Sequence, residues 1–253
     1  MKTRRAIGVA IVLFGLLTPG FLARDAGAAG LSAIGTSNAD YFDCVTGAAG
    51  CTTKRGYFKA YTPVTMHCWL DGRKAASSVR WFYVTGPGGI TSGYVHSSKI
   101  PTRLQPKVPN CNTIRGIRAS HWAATHVGAK TVAAAEKNGN KVTYWSGWCY
   151  LFAWDAHALS HGVKPRLAGT AKLAYNSYKA SKRVTGYTKP ESIPIGSLVF
   201  WPNVTGAGHA AIYVGNGAVV STIGVEGEVR PVSRVSLTKQ FGVPAGFVSP
   251  GNI

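Results

Sequence analysis

Five cysteines set the first limit on this chain: Cys44, Cys51, Cys68 and Cys111 fall in its first half, and Cys149 stands alone in the second. In an exporting compartment thiols pair, so four cysteines this close together suit two disulfides. Cys44 and Cys51 could close a short loop, and Cys68 and Cys111 could tie a small domain to the connector after it. Four cysteines allow three connectivities, and the spacing alone does not choose among them. A fifth, unpaired thiol is exposed to oxidation, and its retention points to nucleophilic chemistry or to a buried, inert filler of core space.

Export is written into the first thirty residues. Lys2, Arg4 and Arg5 precede the apolar run from Ala6 to Leu17, and Ala26, Gly27 and Ala28 offer small side chains for cleavage. The run is short for a membrane span, so residues 1–28 read as a removable signal peptide and the chain as secreted, with no stable membrane anchor. The Thr3-Arg4-Arg5 triplet leaves a twin-arginine route open. Cleavage would remove four basic residues and one acidic residue from totals of 28 and 9, leaving 24 and 8, a net of +16. So strong a charge suits an anionic surface. The basic residues are scattered and form no run of five, which argues against a nucleic-acid arm. An exported cation meets anionic cell-wall polymers and peptidoglycan before it meets nucleic acid.

Two domains are expected, divided near residue 110, because three prolines interrupt the stretch from Lys99 to Cys111 and no hydrophobic period crosses it. Before the break, Arg80 to Val84 is rich in β-formers, Gly86-Pro87-Gly88-Gly89 turns the chain, and Gly93 to His96 resumes the strand pattern. The aromatic strand around Trp81 and Tyr83, the glycine turn and the segment Gly93 to Ser98 resemble a bacterial SH3-like barrel. The resemblance implies a small all-β wall-binding module over residues 29–110, linker included. The glycine-rich turn leads into a strand and carries no lysine, so it is a poor phosphate cradle.

Beyond the break, residues 114–127 and 130–138 carry mixed helical patterns. Cys149, Phe152, Ala153, Ala156 and Leu159 then recur on one helical face, Gly162 is placed to stop the helix, and Pro165 forbids its continuation. Cys149 therefore opens a helix of about thirteen residues, where free N–H groups and the helix dipole favour a thiolate and could serve an oxyanion. Pro194 to Trp201 reads as a turn into a core strand. Gly208 to Val214 is a second strand opening on His209, and Asn216-Gly217 turns the chain back into Ala218 to Thr222.

Residues 112–253 resemble the NlpC-type cell-wall cysteine peptidases, papain-like enzymes that cut peptidoglycan stem peptides. The resemblance rests on the cysteine after Trp145-Ser146-Gly147, the P-x-G-S-L-V-F strand, the hairpin from Gly208 to Gly217 and the closing Ala245 to Val248. It implies an α+β fold over residues 111–253, a helix packed on a small antiparallel sheet. It further implies Cys149 as nucleophile, His209 as base, Ser221 as the residue orienting the imidazole, and Trp145 and Ser146 beside the substrate. Three positions depart from the family pattern. Tyr150 follows the cysteine in place of serine, Ser197 stands for the aspartate of the strand-opening turn, and Ser221 carries no charge. Thr222 and Asn203 are weaker substitutes for Ser221.

The expectation is a monomeric, secreted cysteine hydrolase acting on peptidoglycan or another anionic wall polymer, with no cofactor and no metal. His157 and His161 are spaced i, i+4 but lack the glutamate of a zinc peptidase helix. His161 is also twelve residues from Cys149, roughly 18 Å along a helix. The acidic residues Asp155, Glu191, Glu226 and Glu228 show no glycosidase pairing. A wall-binding relative that has lost turnover, and a secreted toxin or amidase using the same Cys–His pair elsewhere, remain alternatives.

Overall fold

The computed structural model describes residues 30–48, 51–89, 91–101, 105, 108–133, 142–225 and 228–253. The expected signal peptide lies outside them. Two antiparallel six-stranded sheets carry the fold. The first is built from β1 (Gly30–Ala33), β2 (Ala39–Phe42), β3 (Gly56–Phe58), β4 (Pro63–Ala75), β5 (Ser78–Thr85) and β6 (Ser92–His96), in the order β1-β4-β5-β6-β2-β3. Alternation builds its core: Phe82, Val84 and Val95 face Ile34, Phe58 and Met66, while Trp81, Tyr83 and Tyr94 gather on the other side. Two disulfides brace it, Cys44–Cys51 and Cys68–Cys111, the latter joining β4 to the segment that leaves the sheet.

Helix α1 (Arg115–Thr125) comes next, then α2 (Cys149–His161) and α3 (Ala171–Ala180). The expected helix at 130–138 is absent over its described part. Thr131 bridges antiparallel to Tyr144, and Val132 N–H donates to the Thr143 carbonyl at 3.0 Å, so the chain is extended there. The remainder of that expectation, 134–138, lies outside the described residues.

The second sheet contains β7 (Thr185–Gly186), β8 (Leu198–Trp201), β9 (His209–Gly215), β10 (Ala218–Ser221), β11 (Ser233–Ser236) and β12 (Gly246–Val248), in the order β11-β10-β9-β8-β12-β7. Every residue of β9 is buried. Ala210, Ile212 and Val214 pack with the helices, while Ala211 and Tyr213 pack with Val199, Trp201 and Phe247 on the opposite face. Asn216 and Gly217 close the β9–β10 hairpin with φ of 56° and 62°, the left-handed pair that an Asn-Gly turn supplies. Among the described residues no helix is long and apolar enough to cross a membrane.

The two sheets are joined by polar contacts as well as by apolar packing. The Asn216 side chain accepts from Ser92 N–H and donates to the Ser92 carbonyl, both at 2.7 Å, so it pairs with β6 as a strand would. Buried Asp43 accepts from Arg55 at 2.7 Å and is paired with Arg234 of β11.

Candidate active site

Cys149 is the first residue of α2. Gly147 enters the turn before it with φ of 81°, a conformation that glycine adopts without strain. Trp148 caps the helix without a side-chain hydrogen bond, so no side chain competes for the first-turn N–H groups. Ala153 and Ala156 are fully buried, so α2 can lie close on β9. Gly162 ends the helix in the left-handed conformation, φ 78°.

His209 opens β9, opposite Trp201 of β8. Its ring lies against Phe241, with centroids 3.9 Å apart and planes 30° apart, which fixes the imidazole plane. Ser221, the last residue of β10, settles the tautomer. Its hydroxyl lies 2.6 Å from the Ala210 carbonyl oxygen, which has no proton to give, so the hydroxyl donates there. The same oxygen is 3.0 Å from His209 Nε2 and must accept from it. The imidazole proton therefore sits on Nε2, and Nδ1 is the ring's available base.

Cys149 and His209 line one groove of about 770 Å³ between α2, the 167–171 loop and the segments 204–209 and 222–225. The backbone N–H of Ala210, next to the histidine, reaches the thiol, as do the N–H groups of Tyr150 and of Cys149 itself. These donors favour the thiolate, as a helix start should. Burial opposes them and wins, so the Cys149 thiol is pushed above the ordinary thiol range. Burial thus outweighs the helix start, on which the expectation of a favoured thiolate rested. Burial also lowers His209, to about 4. Both groups are neutral near pH 7, a thiol and an imidazole lining the same groove. A buried ion pair would need charge compensation, which uncharged Ser221 does not supply.

Trp145 and Ser146 are not in the groove. Trp145 is 0% exposed, packed edge-on against Phe152 and Trp122. Ser146 is buried and exchanges hydrogen bonds with the Arg230 backbone, donating to its carbonyl at 3.3 Å and accepting from its N–H at 2.9 Å. The extended link to residue 131 turns both inward. Trp148 and Trp154, partly buried against the core, line the groove in their place. Thr222 lines it too, while Asn203 is exposed in a turn. Ser197 closes its own turn, donating to the Pro194 carbonyl at 2.6 Å.

The remaining histidines lie elsewhere. His157 Nδ1 and His161 Nε2 are 3.0 Å apart, and burial lowers them to about 3 and about 4. His121 packs edge-on against Tyr94, and His126 stacks on Trp122. Among the described residues no three side chains are grouped to hold a metal ion. Phe241 was missed from the sequence, which offers no periodic signal around it. Leu167, in a loop between helices, was missed for the same reason.

No known protein family's profile matches the chain, and no curated protein matches it. Among solved structures, it is similar to NlpC2 from Trichomonas vaginalis at 14% identity and a TM-score of 0.37, over 88% of this chain and 72% of that one. It is similar to NlpC1 from the same organism at 14% identity and a TM-score of 0.36, over 88% of this chain and 69% of that one.

Proposed function

We propose that the chain is a secreted cysteine hydrolase that cuts amide bonds in peptidoglycan stem peptides, with Cys149 as nucleophile, His209 as base and Ser221 as the residue that holds the imidazole. The observation that carries this reading is the Ser221 hydroxyl set between the Ala210 carbonyl and His209 Nε2, which leaves Nδ1 as a base in the groove that also holds the lone thiol.

The chemistry runs from a neutral pair. Nδ1 takes the thiol proton as Sγ attacks the scissile carbonyl, so charge develops only along the reaction coordinate. The oxyanion meets N–H groups at the uncapped start of α2. Imidazolium returns its proton to the departing amine, leaving a thioester on Cys149. Nδ1 then deprotonates a water, which attacks the thioester and releases the acid and the thiol.

The N-terminal sheet is the proposed SH3-like wall-binding module. Tyr57 and Tyr61 are exposed on it, and Lys54 lies 5.5 Å over the Tyr57 ring, a surface suited to a polymer. The net charge of +16 left once residues 1–28 are removed draws such a protein to an anionic wall. Two disulfides fit an oxidising, extracellular setting. Digesting purified sacculi and weighing the fragments tests the reading. New amino and carboxyl ends within stem peptides are expected from the wild type, and none from Cys149→Ala. Equal release by both proteins would remove Cys149 from the mechanism.

A further inference from the structure

The groove around Cys149 is unlike the rest of the molecule. The chain carries 28 Lys+Arg, yet among the described residues lining the groove there is no lysine, arginine, aspartate or glutamate. Among the described residues, the nearby charges are paired elsewhere or do not line the groove. Arg166 donates to the Ser177 carbonyl and hydroxyl and lies over Tyr178. Arg230 is paired with Glu228. Lys172 is exposed and does not line the groove.

Beside a few neutral polar groups, Thr170, Thr205 and Thr222 among them, the lining is mostly apolar. Trp148, Leu151 and Trp154 of the α2 region line the groove together with Leu167, Val204 and Val225. The last three are 93%, 43% and 63% exposed. Single exposed aliphatic side chains need no explanation, but three converging on one groove over a thiol form a patch of the kind that marks a binding site. A carboxylate placed there would lose its water and find no cation, since the one histidine present is neutral. An alkyl chain would lose only unfavourable hydration.

We infer that this site selects an apolar, uncharged acyl group at the scissile carbonyl. In a wall peptide that means a residue with an alkyl side chain, its neighbouring carboxylates amidated or remote from the cut bond. The inference rests on the proposed hydrolase reading and names what its groove accepts. The basic exterior draws the protein to an anionic polymer, and the groove takes the part of it that bears no charge.

A panel of 4-nitrophenyl esters tests this on the full-length mature protein: acetate, butyrate, octanoate and the succinate monoester. Sγ attacks the ester carbonyl, 4-nitrophenolate leaves, and the acyl group is weighed on Cys149 before water releases it as the acid. The rate kcat/KM is expected to rise on the order of tenfold for every two methylenes until the groove is filled. The succinyl ester is expected to fall on the order of 100-fold below butyrate. Val225→Asp, in the apolar lining, is expected to lower octanoate turnover about tenfold more than it lowers acetate turnover. Acylation of Cys149 at equal rates by acetate and octanoate, or faster acylation by the succinyl ester, overturns the inference and leaves the hydrolase reading standing. A folded protein that no ester acylates overturns both.

Discussion

Cys149→Ala and His209→Gln are each expected to lower kcat by three orders of magnitude or more, and the double variant to be no worse than the worse single one. Nucleophile and base act as one unit. Without the sulfur there is nothing for Nδ1 to deprotonate, and without Nδ1 a thiol whose acidity is suppressed by burial stays protonated. Ser221→Ala is a milder case. It removes one neutral hydrogen bond, worth about 1 kcal/mol, while the Phe241 ring still holds the imidazole plane. A loss of about tenfold is expected there, because no charge is removed. Steady-state kinetics on the wild type and the four variants, with circular dichroism to confirm folding, reads these effects. Losses that multiply in the double variant would separate Cys149 from His209.

Gly196→Ala is expected to destabilise the fold by about 4 kcal/mol or more, the tail reserved for special backbone positions. Gly196 has φ of 78°, and a methyl group there would stand 2.6 Å from the Gly116 Cα and overlap the Gly116 carbonyl oxygen. Neither neighbour is a flexible side-chain end that can move aside. Gly116 lies in the first turn of α1, and a methyl group on it would overlap the Ile195 carbonyl in return. The two glycines therefore set how closely α1 approaches the turn into β8. The Gly196 N–H also donates to the Tyr213 carbonyl of β9 at 2.8 Å, so displacement there would reach the strand that carries His209. Gly186→Ala is the control: its φ is unremarkable, a methyl group there meets nothing within 4 Å, and a change within about 0.5 kcal/mol is expected. Thermal melts should separate the two by about 10 °C in a chain of this size.

Much of the second sheet could be read in advance. The alternation through Leu198 to Trp201 and His209 to Val214, and the Asn216-Gly217 turn, are local signals that the fold obeys. The start of α2 at Cys149 and its end at Gly162 follow from periodicity and a stop residue. Helix α3 was legible but unread: Thr170 accepts from the Leu173 N–H, and Ala171, Ala174, Tyr175 and Tyr178 recur on one buried face. The groove walls were not legible, because they come from loops at 167–170, 204–208 and 222–225 that only the tertiary fold brings to Cys149. Sequence neighbourhood misled in the same way for Trp145, which is nearer the core than Trp148 although both flank the nucleophile. The acidity of the thiol is likewise set by burial that its local sequence does not show, against the opposing N–H of Ala210, sixty residues away along the chain.

The pH dependence of Cys149 alkylation by iodoacetamide tests most directly whether a neutral thiol rests beside a neutral imidazole. The four other cysteines are in disulfides, so the probe reads one site. A thiol raised above its ordinary value gains thiolate about tenfold per pH unit throughout the range below that value. The rate is therefore expected to rise about 100-fold from pH 6 to pH 8. A rate that stays level from pH 5 to pH 8 would mean a thiolate–imidazolium pair already formed, and a thiol inert at every pH would mean a sulfur closed off from any substrate.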